Sequence, residues 1–231
     1  MLRAGLSKPA KVLLTVAAGG ATTLLTSWAV GKLMQRETVV RPSRQVYDYI
    51  HDHRSAAIAS RLDPVTTIGG YSVIGSFSIL VGAMVAWERR SWRPLPLLLA
   101  GALTEVYLQK ALKRLVKGTK PPREASLGPP GDFPSGGAAR TLITFGLLAH
   151  LLTEHWDSPG ERVVIWSATS GLVLAQGGSR LYLGRHWPED VLGGWLFGWL
   201  ILRTLVKVDD ILAIEAGPCR TSERTRQSFA R

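Results

Sequence analysis

Three short segments of this 231-residue chain hold side chains whose types and spacing suit phosphoryl chemistry. The first, Lys113-Arg-Leu-Val-Lys-Gly-Thr-Lys120-Pro121-Pro122-Arg123, gathers cations at the end of an apolar run. Lys and Arg give charge-assisted donors to phosphate oxygens, and the Arg fork can do so bidentately. The second, Phe133-Pro134-Ser135-Gly136-Gly137, is a turn that opens a helix. It offers a hydroxyl and free backbone N–H groups at the positive end of a helix dipole. The third, Ser179-Arg180-Leu-Tyr-Leu-Gly-Arg185-His186-Trp-Pro-Glu-Asp190, sets a histidine and an aspartate four residues apart. On one helical face, the carboxylate keeps one imidazole nitrogen protonated and leaves the other free to attack. Basic groups fixed around the phosphorus stabilise the transition-state charge.

Six apolar runs must position these segments. They cover about Val12–Met34, Thr66–Trp87, Leu95–Val116, Ala138–Leu152, Val163–Gly178 and Val191–Val206. About 20 helical residues cross a bilayer core, and the run from Thr66 to Trp87 contains no charge. The expected fold is all-α, an integral membrane bundle of about six transmembrane helices. Residues 1–11 form a basic N-terminus, 12–208 the membrane domain, and 209–231 a polar tail expected to be disordered. Trp28, Trp87, Trp92, Trp156 and Trp187 fall near run ends, where amphipathic rings favour the headgroup layer. Gly194 and Gly198 form a small-xxx-small pair suited to packing neighbouring spans within one chain.

Composition narrows the function further. The chain is 46% hydrophobic and 19% charged, with 28 Lys+Arg against 17 Asp+Glu and a formal charge of +11. That apolar content excludes a disordered chain, and one cysteine excludes a disulfide scaffold. The excess charge sits in loops and tails, so no nucleic-acid partner is expected. Arg3, Lys8 and Lys11, the loop with Arg89, Arg90 and Arg93, and the basic C-terminal tail share one side of a six-span topology. The positive-inside rule makes that side cytoplasmic, with both termini. The loop from Lys110 to Arg140 is basic too, yet lies on the outer side, which calls for an anionic ligand. The stretch Tyr47–Arg61 reads as one short interfacial helix. Its His51 and His53, beside Asp48 and Asp52, do not converge on one helix face, so no metal site is assigned there.

The third segment matches Ser-Arg-x5-His-x3-Asp, the signature of the type 2 phosphatidic acid phosphatase superfamily, which includes membrane lipid phosphate phosphatases and the vanadium haloperoxidases. The first resembles that family's Lys-x6-Arg-Pro, with Lys120-Pro121 where Arg-Pro is usual. The second resembles its Pro-Ser-Gly-His. The resemblance covers about residues 45–206. It implies His186 as the nucleophile, forming a phosphohistidine, and Asp190 as the group that orients it. It also implies Lys113, Lys120, Arg180, Ser135 and the Gly136 backbone as phosphate ligands. No metal or other cofactor is expected. The site would face the outer side of a cell membrane, acting on a lipid phosphate or diphosphate of the phosphatidic acid or polyprenyl type.

Two positions depart from the family pattern. Lys120 keeps a charge but loses the bidentate fork, and Arg123 is the candidate replacement. Gly137 stands where the family has its acid histidine, whose loss typically costs about 10²–10⁴ in rate. A phosphate leaving from a diphosphate needs protonation less than an alkoxide does, so activity is expected to tilt toward lipid diphosphates. Asp132, Lys117 or a histidine of the first outer loop are the substitute acids. The alternatives are an impaired relative that binds anionic headgroups or a partner, and a phosphotransferase on the same scaffold.

Overall fold

A computed structural model describes residues 6–123, 126–154 and 158–213. Its elements are α1 (Lys8–Met34), α2 (Glu37–Asp52), α3 (Ala56–Thr67), α4 (Tyr71–Glu88), α5 (Pro94–Val116), α6 (Gly136–Thr153), α7 (Pro159–Tyr182) and α8 (Pro188–Ala213). No strand occurs among the described residues, so the all-α expectation holds. The six long helices follow the six apolar runs in order. Three of them, α1, α4 and α8, are both long and apolar enough to cross a membrane. The other three carry polar groups that lower their hydropathy: Glu105 and Lys110 in α5, Arg140 and His150 in α6, Glu161 and Arg180 in α7.

Local chemistry explains several boundaries. Ser158 caps α7 by accepting from the Glu161 N–H at 3.4 Å, with Pro159 at the first helical position. At the other end of α5, Lys117 takes a left-handed conformation (φ 50°), and its N–H bonds the Lys113 carbonyl at 3.2 Å. Pro188 opens α8, with Glu189 and Asp190 in its first turn, where the helix dipole favours acids.

Helix α6 forms the centre of the bundle. It packs against α5, α7 and α8, and Ala139, Ile143, Leu147 and Leu151 join the core with Leu98, Leu112, Phe197 and Ile201. The outer helices expose Leu13, Leu25, Leu80 and Met84, as surfaces that face lipid do. Close approach at the centre requires glycine. A Cβ on Gly198 would lie 2.9 Å from the Ala139 carbonyl oxygen, and one on Gly194 would lie 2.5 Å from that of Ser135. The pair therefore packs α8 onto α6 within the chain.

Three expectations change. The stretch Tyr47–Arg61 is two helices, because the chain breaks at His53–Ser55, where the Ser55 N–H donates to the Tyr182 hydroxyl at 2.8 Å. Trp187 is buried against Tyr47, whereas Trp87 and Trp92 are exposed. Trp156 lies outside the described residues. Helix α8 continues to Ala213, past the point where the sequence turns polar, because Asp209 is buried with Arg93 and His150. That network closes the end of the bundle away from the three motifs, with Glu154 joining Arg89 and Arg93 at 2.6 and 2.7 Å. His150, Glu154 and Asp209 have the spacing of a metal group, but the two arginines already neutralise both carboxylates.

Gly198→Leu must push α8 from the α6 backbone, and overpacking of this kind typically costs about 1–3 kcal/mol. Thermal unfolding in detergent should show a clear loss of stability. Gly20→Leu, where a Cβ meets nothing within 4 Å, should leave the midpoint unchanged.

Candidate active site

The loop between α7 and α8 carries His186, which is only 2% exposed. Its Nε2 lies 3.2 Å from Nη2 of Arg180, in the last turn of α7. A guanidinium can only donate, so Nε2 is the acceptor and the ring proton belongs on Nδ1. Nδ1 faces Oδ2 of Asp190, in the first turn of α8, at 3.3 Å. The Trp187 N–H donates to the same oxygen at 3.0 Å and fixes the carboxylate. Burial holds the His186 pKa well below the usual imidazole value, and Arg180, Lys113, Arg140 and Arg185 push it the same way. The imidazole is thus neutral at physiological pH, with a lone pair on Nε2.

The turn before α6 approaches from the other side. The Ser135 N–H bonds the Asp190 carbonyl at 2.8 Å, which ties this turn to the start of α8. The Ser135 hydroxyl is fully buried and has no partner among the described residues, and α6 starts at Gly136 with its first N–H groups unpaired by the helix. The Nε of Arg180 is also buried without a partner. These are donors of the kind an anion satisfies.

Charge pairing singles out one cation. Lys113 meets Asp132 at 2.5 Å, Arg140 meets Glu105 at 3.2 Å, and Arg185 meets Asp63 at 2.7 Å. Among the described residues Arg180 meets no carboxylate. It bonds only Thr66 Oγ1, at 3.2 Å, and His186. The positive charge left over at the site therefore sits on the guanidinium that caps Nε2 of His186.

Of the residues read from the motifs, His186, Asp190, Arg180, Ser135, Gly136, Gly137 and Lys113 come together. Lys120 and Arg123 do not: both are exposed on the loop after α5, with no described bond to the cluster. Arg140 and Arg185 supply the remaining positive field. Arg140 was countable as a basic residue but had no motif to assign it. It donates to the Gly69 carbonyl at 2.9 Å, stacks on Tyr71 and pairs with Glu105. Tyr71 in turn donates to Gln109, which supports the Pro134 carbonyl at 3.3 Å. The signal for this set was a Glu and a Gln four residues apart inside an apolar helix.

Over Gly137 the space is filled. A Cβ there would lie 2.8 Å from Nε2 of Gln176 and 3.5 Å from the Arg180 guanidinium. Gln176 is fully buried, and its Oε1 has no partner. A neutral amide from α7 therefore stands where a side chain at 137 would project. On the remaining side, the loop 126–132 covers the imidazole. The Gly131 N–H bonds the Arg185 carbonyl at 2.7 Å, and Arg185 Nε bonds the Leu127 carbonyl at 2.6 Å. Any Cβ on Gly131 would overlap the His186 ring.

Comparison with known proteins identifies the family and the fold. Phosphatidylglycerophosphatase B of Bacillus subtilis (strain 168) is 29% identical over 149 residues, which cover 62% of this chain and 70% of the relative. The crystal structure of a transmembrane PAP2-type phosphatidylglycerolphosphate phosphatase from Bacillus subtilis superposes with a TM-score of 0.74. It has 22% identity and covers 83% of this chain and 96% of its own, which establishes the shared fold. The PAP2 superfamily model matches residues 94–211, more than half of the sequence and all three motifs. The chain belongs to the PAP2 superfamily.

Proposed function

We propose that this protein hydrolyses a lipid phosphate or diphosphate headgroup through a phosphohistidine on His186. The observation that carries the reading is Arg180, which among the described residues meets no carboxylate while Lys113, Arg140 and Arg185 each do, capping the lone pair of a neutral, buried imidazole. A phosphoryl group entering the site supplies the missing negative charge. Its oxygens draw the guanidinium, the Ser135 hydroxyl and the α6 N–H groups, and Nε2 is released. The Nε2 lone pair then forms a bond to phosphorus while the bond to the leaving oxygen breaks and that oxygen keeps the electron pair. Positive charge on the ring is shared through the Nδ1 proton with Asp190. Water next attacks phosphorus, its proton passes to a phosphate oxygen, and the P–N bond breaks. Neutral His186 and inorganic phosphate result.

The leaving group sets the preference. No side chain at Gly137 can protonate it, and the Gln176 amide in that space is no acid at any working pH. A departing phosphate is a weak base and leaves unaided, whereas an alkoxide needs a proton. The site thus suits lipid diphosphates over phosphate monoesters. The relative's name points instead to phosphatidylglycerophosphate, a monoester, so both classes belong in one assay. The same glycine supports a second reading, a relative that binds anionic headgroups without turnover. The paired basic end with Arg89 and Arg93 goes on the cytoplasmic side, and the site on the outer side.

Phosphate release from polyprenyl diphosphate, phosphatidic acid and phosphatidylglycerophosphate, without added metal, tests the assignment. Wild-type protein should release phosphate, fastest from the diphosphate, and His186→Ala should release none. Equal rates on all three lipids would refute the leaving-group argument, and no release from folded protein would favour the binding reading.

The pH profile follows from the lowered pKa of His186. A depressed imidazole pKa keeps the neutral, nucleophilic form to lower pH, so activity should fall only below the usual 6.5 on the acid side. An acid limb at or above 6.5 on a diphosphate would contradict it.

Restoring an acid needs two changes, because Gln176 occupies the space. Gly137→His combined with Gln176→Gly should raise monoester turnover at least tenfold, toward the about 10²–10⁴ that a general acid typically contributes. Gly137→His alone should gain less. No gain in the folded double variant would mean that the missing acid does not limit the reaction.

A further inference from the structure

Helix α2 grips the loop that carries the nucleophile, and it does so from outside the family-matched region, which begins at residue 94. Its inner face presents Ser43, Arg44 and Tyr47, while Arg41, Val46 and Tyr49 stay exposed. The Arg44 guanidinium carbon lies 3.2 Å from the centre of a Trp187 ring. Its Nη1 meets Oε1 of Glu189 at 3.0 Å, and its Nη2 donates to Thr119 Oγ1 at 3.2 Å. Ser43 donates to the other Glu189 oxygen. Tyr47 packs on Trp187 with ring centres 4.5 Å apart, and its hydroxyl donates to the Gly184 carbonyl at 3.3 Å.

We infer that Arg44 is a positioning residue for His186, clamping Trp187 and Glu189 so that the imidazole and the Asp190 carboxylate stay aligned. Among the described residues the His186 ring is held at Arg180 and Asp190. The backbone around it is held by the Arg185 N–H on the Arg180 carbonyl at 2.9 Å, the Gly131 N–H on the Arg185 carbonyl at 2.7 Å and the Trp187 N–H on Asp190. Helix α2 adds the grip on the Gly184 carbonyl and on the side chains of Trp187 and Glu189. Gly184 precedes His186 by two residues, Trp187 follows it directly, and Glu189 precedes Asp190 directly. The link to Asp190 is short, since the Trp187 N–H holds the carboxylate oxygen that faces Nδ1. A Trp187 that shifts takes this N–H with it and spoils the hydrogen bond that orients the nucleophile.

Arg is suited to the position and Lys only in part. The planar guanidinium stacks on indole while its edge pairs with a carboxylate. An ammonium keeps the ion pair but loses the flat contact. Arg44 also borders a cavity of about 400 Å³ with Lys117, Glu189 and Asp190, so a direct role in holding substrate is the competing explanation. A positioning residue acts on turnover, whereas a substrate ligand acts on binding.

The inference rests on His186 as nucleophile, so His186→Ala is assayed alongside. The experiment measures kcat and KM for phosphate release by the full chain in mixed micelles, using the best lipid from the panel above. Arg44→Ala should lower kcat at least tenfold with KM within twofold of wild type, and Arg44→Lys should recover part of that loss. Glu189→Gln should lower kcat as well, and adding it to Arg44→Ala should cost little more, because one clamp is already open. Arg41→Ala, an exposed neighbour on the same helix, should behave as wild type. Thermal unfolding confirms that each variant is folded, and if Arg44→Ala is not, Arg44→Lys and Glu189→Gln decide. Wild-type kcat in these variants, or a raised KM with kcat unchanged, would overturn the positioning role. Activity persisting in His186→Ala would instead refute the nucleophile assignment.

Discussion

Arg140 is a guanidinium inside an apolar bundle, 7% exposed, and a charge in such a place is costly unless it is paired. Glu105 on α5 provides the pair, with both carboxylate oxygens 3.2 Å from Nη1. The Gly69 carbonyl takes the Nε–H, and the Tyr71 ring covers the flat face. This single cation therefore fastens α6 to α5 and to the turn between α3 and α4. Two of its neighbours extend the effect, as Tyr71 holds Gln109 and Gln109 supports the Pro134 carbonyl. The start of α6 is thereby fixed beside the first turn of α8, where the Ser135 N–H bonds the Asp190 carbonyl at 2.8 Å. Removing one partner leaves an unpaired buried charge, which is far worse than removing both.

The nucleophile set was legible because it is local in the chain. Arg180, His186 and Asp190 span eleven residues from the last turn of one helix to the first turn of the next, and their spacing alone places them together. The long helices were legible for the same reason, since apolar runs need no partner to be recognised. What escaped depends on contacts between distant residues. Arg140 and Glu105 meet across 35 positions, and Gln176 reaches the space over Gly137 from another helix. Lys120 was in register with a motif, yet the chain leaves α5 through a left-handed Lys117 and carries Lys120 to the surface. Trp187 was read as a membrane-interface ring, but Tyr47 and Arg44 bury it.

Glycine at 137 and glutamine at 176 belong to one arrangement. A side chain at 137 and the Gln176 amide compete for the same volume, so each residue makes room for the other. The exchange leaves the proposed phosphate donors untouched, because Arg180, Ser135 and the α6 terminus remain in place. It removes only a proton source on the leaving-group side. In the proposed reaction attack and departure thus have separate requirements: the first falls to His186 and Asp190, while the second depends on the substrate.

The two ends of the bundle make opposite use of the same residue types. At one end Arg89 and Arg93 meet Glu154 and Asp209, His150 completes the set, and the charges are satisfied within the protein. At the other, Lys113, Arg140 and Arg185 are matched by carboxylates, but Arg180 is not. A closed network fixes helices and has no need of a ligand. An open one, with a buried hydroxyl and a guanidinium N–H unpaired among the described residues, keeps donors that an anion would satisfy. That asymmetry distinguishes a structural lock from a candidate anion site built from the same arginines, and the candidate site lies at the end where α2 holds the loop of His186.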